Sequence, residues 1–232
     1  MPNTKPIWTF PQTTWSDPGT PASGDYMQAR DQDIAFLFQM IGAVQSGSTL
    51  TVSTPGDGVF TPTKSGSAII YLIGAGGGGG GATHDGSIAT TFPGSGGGAG
   101  GLVIFQTFLI GSTPYSYHVG NAGILGADRT GDPPPPFGLT GGTGENTWFS
   151  ATSNKGGGGV GGGGGETGIG PGAGGTNSAP SPILNLTGNP GVLTVGGQQV
   201  LTAYAAYGYG GHGSNFGSGG TAGANGLLVI LY

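Results

Sequence analysis

The chain has 232 residues, with 57 glycines, 17 prolines, 5 basic and 10 acidic side chains, a formal net charge of −5 and no cysteine. A disulfide framework and a cysteine-ligated zinc site are therefore excluded. Scattered basic residues in an acidic chain argue against nucleic acid as a partner, and the apolar runs are strand-length, too short to cross a membrane as helices. Glycine and proline at this level accompany low complexity, but disorder also goes with high net charge and few apolar residues. Here only 6% of residues are charged and 9% are aromatic, and apolar runs alternate with glycine tracts. An ordered protein in which glycine serves packing is expected.

Residues 1–22 form a proline-broken, extended arm carrying Trp8, Phe10 and Trp15. The opening Met1-Pro2-Asn3-Thr4-Lys5 lacks the apolar stretch of a secretory signal, so none is expected. Residues 23–47 change period. Met27, Arg30, Ile34, Leu37, Ile41 and Val44 are spaced 3-4-3-4-3, as on a coiled-coil seam. Ser23 or Asp25 can cap this helix and Gly47 can end it. About three heptads are too short to stand alone in water, so the stripe Met27, Ile34, Leu37, Ile41 and Val44 either packs on its own domain or joins copies of the chain.

Residues 50–232 read as a glycine-rich β domain. Strands are expected at 50–53, 58–61, 67–73, 102–110, 114–119, 146–151, 192–195, 198–204 and 227–232. LVIFQTFLI and LLVILY are apolar on both faces, which suits central strands. VLTVGGQQVLTAY reads as a hairpin turned by Gly196-Gly197. Many short strands with turn-rich connections suggest a β-sandwich or barrel.

The run from Ile69 into Gly74-Ala75-Gly76-Gly77-Gly78-Gly79 satisfies G-x-G-x-x-G after a strand. A dinucleotide site also needs a helix opening on the glycines and an acidic residue about 20 positions later. The following sequence has no helical period, and no Asp or Glu lies between Asp85 and Asp128. No cofactor is expected. The glycine tracts 74–81, 94–101, 156–165, 168–175 and 208–226 suit a different geometry. Polyproline II has three residues per turn, so every third residue lines one edge. In the last tract Gly208, Gly211, Ser214, Gly217, Gly220, Gly223 and Gly226 make one edge, bare enough to lie against another backbone. Tyr209, His212, Asn215, Ser218, Thr221 and Ala224 make another. Asn215-Phe216 marks a break between two such helices. GIGPGAGG breaks the pattern and reads as a loop, and a flexible linker is the alternative for every tract.

The order VFTPTKSGSAIIYLIGAGGGGGGA, GSGGGAGGLVIFQTFLI, GGGGVGGGGG and GTAGANGLLVILY resembles the glycine-rich C-terminal domain of bacteriophage tail-fibre proteins. TTWSDPGTPASGDYMQARDQDIAFLF resembles, more weakly, a module near the start of many such fibres. The resemblance implies a mainly β fold, a jelly-roll-like β-sandwich with packed polyglycine II helices after an extended arm and one short helix. It further implies a virion component, made in the host cytoplasm and with a non-enzymatic tip, with the arm and its Trp8, Phe10 and Trp15 attaching to other tail proteins. The helix would assemble a homotrimer, and loops joining the glycine helices would bind a bacterial surface protein or polysaccharide.

The densest aromatic cluster is Tyr204, Tyr207, Tyr209, His212 and Phe216. Aromatic rings with polar tips give large contact area at low entropic cost, although Tyr204 and Tyr207 could instead pack on the sandwich. His84, Asp128, Arg129 and Phe137 lie in segments that read as exposed loops and complete the candidate receptor-binding set. His84, His118 and His212 are far apart and show no metal-ligand spacing, and no nucleophile motif accompanies them. Glu145 and Glu166 could pair as in a glycosidase, but a non-enzymatic tip is expected. The rival reading is a purely architectural virion part with no receptor.

Overall fold

The computed structural model of the chain describes residues 47–84, 91–130, 138–165, 170–199, 206–215 and 219–232, without the side chains of His84, Thr91 and Thr130. The arm with Trp8, Phe10 and Trp15, and the stripe Met27, Ile34, Leu37, Ile41 and Val44, lie outside the described residues. The described part is mainly β and contains no helix.

Two antiparallel sheets form its body. The first runs in the order β1 (Thr49–Val52), β12 (Leu227–Leu231), β3 (Gly66–Ile73), β6 (Leu102–Leu109), β11 (Leu184–Leu186). The second runs β10 (Ala151–Gly156), β9 (Thr147–Phe149), β7 (Tyr115–Val119), β2 (Gly56–Phe60). The doubly apolar runs become β6 and β12, both interior to the first sheet. One core is built from both sheets. Ile70, Leu72, Val103, Phe105, Leu228 and Ile230 meet Phe60, Val119 and Phe149. Phe60 packs edge-on against Tyr232 at 4.8 Å, and Tyr115 stacks on Phe149 at 5.8 Å.

Where the side chains stop, the ladders do not. β3 and β6 pair from Gly66↔Leu109 to Ile73↔Leu102. The same register continues in Gly74 N–H to Gly101 O, Gly77 to Gly98 and Gly80 to Ser95. The pairing of β12 with β3 continues likewise in Gly76 to Ala224 and Gly79 to Thr221. That of β7 with β9 continues in Gly142 to Ile124 and Leu139 to Ala127, and that of β6 with β11 in Ala99 to Asn189 and Gly96 to Val192. The strands therefore leave the body as ten glycine-rich tracts: I (74–82), II (94–101), III (120–127), IV (138–145), V (157–165), VI (170–176), VII (187–192), VIII (195–199), IX (208–215) and X (219–226).

Within the tracts the hydrogen bonds repeat every three residues and point in several directions. Amides 74, 77 and 80 of tract I donate to tract II, 75, 78 and 81 to tract IV, and 76 and 79 to tract X. Its carbonyls accept from Gly123 and Gly126 of tract III, from Gly159, Gly162 and Gly165 of tract V, and from Gly211 and Ser214 of tract IX. Tract I thus has six hydrogen-bonded neighbours. Tract II also has six: it donates to V, VII and IX and accepts from I, VI and VIII. The other eight tracts ring this pair. Every amide in 74–81 and 94–101 is bonded, and both stretches are fully buried, which meets the requirement that buried backbone groups find partners.

Glycine is needed for the close approach. A Cβ built on Gly77 would run into the Val160 carbonyl, and one on Gly97 into that of Gly77. Positive φ is not the reason: among described glycines only Gly56 and Gly208 adopt it.

Three local expectations fail. The hairpin turn lies not at Gly196-Gly197 but at 192–195, where Val192 and Val195 bond each other and Thr194 has φ 65°. Gly196 and Gly197 have no positive φ, and Gly197 is bonded to Gly97 and Gly210, so glycine there serves contact and the expected 192–195 strand is a reversal. GIGPGAGG is not a loop over its described part. Gly172 and Gly175 donate to Gly96 and Ala99 while Pro171 and Ala173 face solvent, because an outer tract needs only its inner edges bare. The expected strand 146–151 is two strands, reversed at Ser150 with φ 65°.

Candidate functional site

The connectivity brings the far ends of tracts I to VI, IX and X to one pole, while residues 199 and 208, which end VIII and begin IX, lie on the sheet side beside Gly100. Tract I runs out from β3 and II returns to β6; III leaves β7 and IV returns to β9; V leaves β10 and VI runs back; X returns to β12. The described residues that flank 85–90, 131–137, 166–169 and 216–218 all lie at the far ends of their tracts. A chain spans at most about 3.3–3.6 Å per residue, so a nine-residue tract carries this pole at most about 30 Å from the sheets.

Three short strands edge the pole. β4 (Thr83–His84) pairs antiparallel with β5 (Thr91–Phe92) and parallel with β8 (Arg129–Thr130). Two polar side chains join the tract ends beneath them. Thr83 is buried; its hydroxyl donates to the Gly165 carbonyl and accepts from Gly138 N–H at 2.7 Å. The Asp128 carboxylate accepts from Ala82 N–H at 2.7 Å through Oδ1 and from the Ser214 hydroxyl at 3.0 Å through Oδ2. Ser214 is fully buried. Asp128 thereby ties tracts I, III and IX together. Both oxygens of this sequence candidate are engaged within the protein, while Arg129 beside it is exposed.

Tract IX carries Tyr209 and His212 of the aromatic cluster. Gly208, Gly211 and Ser214 are buried, Tyr209 is half-buried, and His212 and Asn215 are exposed. The His212 amide donates to Thr221 Oγ1 at 2.8 Å, and Thr221 N–H returns a bond to the His212 carbonyl, so tracts IX and X run antiparallel. Tyr207 is half-buried at the opposite, sheet-proximal end, next to Gly208 with φ 63°. Tyr204, Phe137 and Phe216 lie outside the described residues, as does the side chain of His84. The structure thus sets Arg129, His212 and the backbone of His84 toward the pole and separates Tyr207 from them.

A second polar cluster was not expected. Asp57, His118 and Trp148 are register partners across β2, β7 and β9. His118 Nδ1 lies 2.8 Å from Asp57 Oδ1 and its Nε2 3.3 Å from Glu145 Oε2, and the imidazole stacks beside Trp148 at 6.1 Å. Glu145 Oε2 also accepts from the backbone and side-chain amides of Asn121. Those bonds, the backbone one foremost, hold the Glu145 carboxyl below its ordinary value, and His118 adds to the effect. The signal for this cluster is the alternation in GDGVF and YSYHV, which puts Asp57 and His118 on the outward face; their partnership depends on strand order. Glu166, the imagined partner of Glu145, lies outside the described residues. Among the described residues no group of His, Asp or Glu is arranged to hold a metal ion, and no helix is long and apolar enough to cross a membrane.

The chain matches no protein-family model and no curated protein sequence.

Proposed function

We propose that this protein is the tip of a bacteriophage tail fibre, which recognises a bacterial surface protein or polysaccharide through the connections at the far pole. In this reading the two sheets are a jelly-roll-like β-sandwich and the ten tracts are polyglycine II helices. The three-residue repeat of hydrogen bonds around tracts I and II supports that assignment. Residues 1–22 attach the chain to other tail proteins, 23–47 assemble a homotrimer, and the assembled fibre belongs to the virion. The tip binds without catalysis or cofactor.

The observation that carries the reading is the convergence, on one pole of a densely bonded lattice, of the described tract ends that flank 85–90, 131–137, 166–169 and 216–218. Binding residues are commonly found on loops held by a rigid scaffold, and a fixed mount lowers the entropy lost on binding. Several copies engaging together multiply a modest affinity. The test is adsorption of the purified full-length chain to bacteria, with Arg129→Ala and His212→Ala variants compared by flow cytometry. Specific adsorption that both variants weaken, with competition against phage infection, supports the reading. If no host strain adsorbs the protein, and particles lacking it are incomplete, the protein is an architectural virion part.

A further inference from the structure

We propose a second ligand site, away from the pole: a groove on the outer face of the β10-β9-β7-β2 sheet that binds an uncharged sugar unit against Trp148. The groove has a volume of about 380 Å³ and runs from Trp148 past Glu145, Asn146, Thr143 and Thr152. A second depression, bordered by Asp57, also reaches Trp148. The ring is half-buried, held at its flank by His118.

The groups around it are fixed but not used up. Glu145 Oε2 takes two donors, from Asn121 N–H at 3.0 Å and Asn121 Nδ2 at 2.8 Å, and lies 3.3 Å from His118 Nε2. That sets the orientation of Oε1, which makes no hydrogen bond to the described residues. Asn146 Oδ1 accepts from Gly158 N–H at 3.0 Å, which orients its free Nδ2. The hydroxyls of Thr143 and Thr152 and the Trp148 Nε1–H likewise have no bond among the described residues. An aromatic face edged by preset donors and acceptors matches a sugar ring, with its apolar face and rim of hydroxyls. A carboxylate already held in place accepts a charge-assisted bond from a hydroxyl without paying to order itself.

The mixture of groups decides the class of ligand. A simple cation would need acceptors only, but Asn146, Trp148 and the threonines supply donors. Two carboxylates, Glu145 and Asp57, in a chain of net charge −5 oppose an anionic sugar. The site lies beside the start of tract III, at the end of that tract away from the pole, so it is independent of recognition there.

Saturation-transfer NMR on the full-length protein tests this, with the methyl glycosides of glucose, galactose, mannose and N-acetylglucosamine at millimolar concentration as probes. At least one is expected to bind, with Trp148→Ala abolishing the signal. Glu145→Gln should weaken binding about tenfold or more, the size of a hydrogen bond to a charged group. Val160→Ala, on a lattice flank, should leave it unchanged. Circular dichroism checks the fold of each variant, and the conservative, surface Glu145→Gln keeps the test decisive if Trp148→Ala does not fold. The proposal is overturned if none of the four sugars binds, if binding survives Glu145→Gln undiminished, or if sialic acid binds better than the neutral sugars. Loss of cell adsorption in Trp148→Ala without any sugar binding would mark a protein contact and also overturn it.

Discussion

The two-sheet body and the glycine lattice are the same ladders with different fillings. β3 and β6 pair in one unbroken register from Gly66↔Leu109 to the Gly80–Ser95 bond. In the body, apolar side chains fill the space between sheets, which ordinarily stack about 10 Å apart. Burial of that surface stabilises the body at roughly 25 cal/mol per Å². Past residue 73 the side chains vanish, and chains from both sheets close to hydrogen-bonding distance. The lattice is held by amide pairing, each bond contributing about 1 kcal/mol net. The body should therefore suffer from atoms removed and the lattice from atoms added.

The sharpest break is Gly97→Val. Gly97 donates to Gly211 and accepts from Gly197, and any Cβ on it meets the Gly77 carbonyl. Valine must part tracts I and II, leaving buried amides without partners at about 1–3 kcal/mol each. A loss of about 4 kcal/mol or more is expected, enough to unfold a marginal domain. Thermal unfolding by circular dichroism checks it, and a melting temperature within a few degrees of wild type would falsify the packing account.

In the body the corresponding test is a deletion. Phe149 is fully buried and packs against Phe60 and Tyr115. Phe149→Ala should cost about 3–5 kcal/mol, read by denaturant unfolding. Val160→Ala, on an exposed lattice residue, should change stability by less than about 0.5 kcal/mol.

How much of this was legible divides along the same line. The body's strands were readable because apolar runs such as LVIFQTFLI carry their own signal. The three-residue column Gly208, Gly211 and Ser214 was readable because its side chains differ from those of Tyr209 and His212. Tracts III and IV were not readable: GNAGILGA and GLTGGTGE resemble ordinary loops, and only the fold shows that Gly123 and Gly141 face inward, toward Gly78 of tract I. Outer tracts tolerate Ile124, Leu139 and Pro171 on their free edges, which hides the period. At the candidate sites, composition drew attention to Asp128 and Arg129, but not to the distant Ala82 and Ser214 that occupy Asp128. The cluster of Asp57, His118, Glu145 and Trp148 depends on strand order, which no local pattern states.

Asp128 sharpens the comparison at the pole, where a side chain must finish what amides no longer can. Asp128→Ala removes the acceptor for Ala82 N–H and for the buried Ser214 hydroxyl. The expected loss is about 1–3 kcal/mol, smaller than for Gly97→Val or Phe149→Ala, with the damage local. Hydrogen exchange should quicken at Ala82 and Ser214 while amides 94–101 stay protected. Equal acceleration throughout the lattice would show that the pole is not a separate element.

The smallest effect belongs to Glu145, at the junction where β7 becomes tract III. Its carboxyl is held below the ordinary 4.5 chiefly by the Asn121 backbone bond, then by the Asn121 side chain and His118. A depressed folded-state value means that the ionised form stabilises the fold above pH 4.5, and that this contribution disappears as pH falls through the lowered value. Glu145 is about half exposed, so water screens much of the gain. Wild type should melt slightly above Glu145→Gln at pH 6, and the two curves should converge in acid. A gap that stays constant from pH 6 down to pH 3 would mean that the carboxylate's charge contributes nothing at the junction and that only the shape of the side chain matters there.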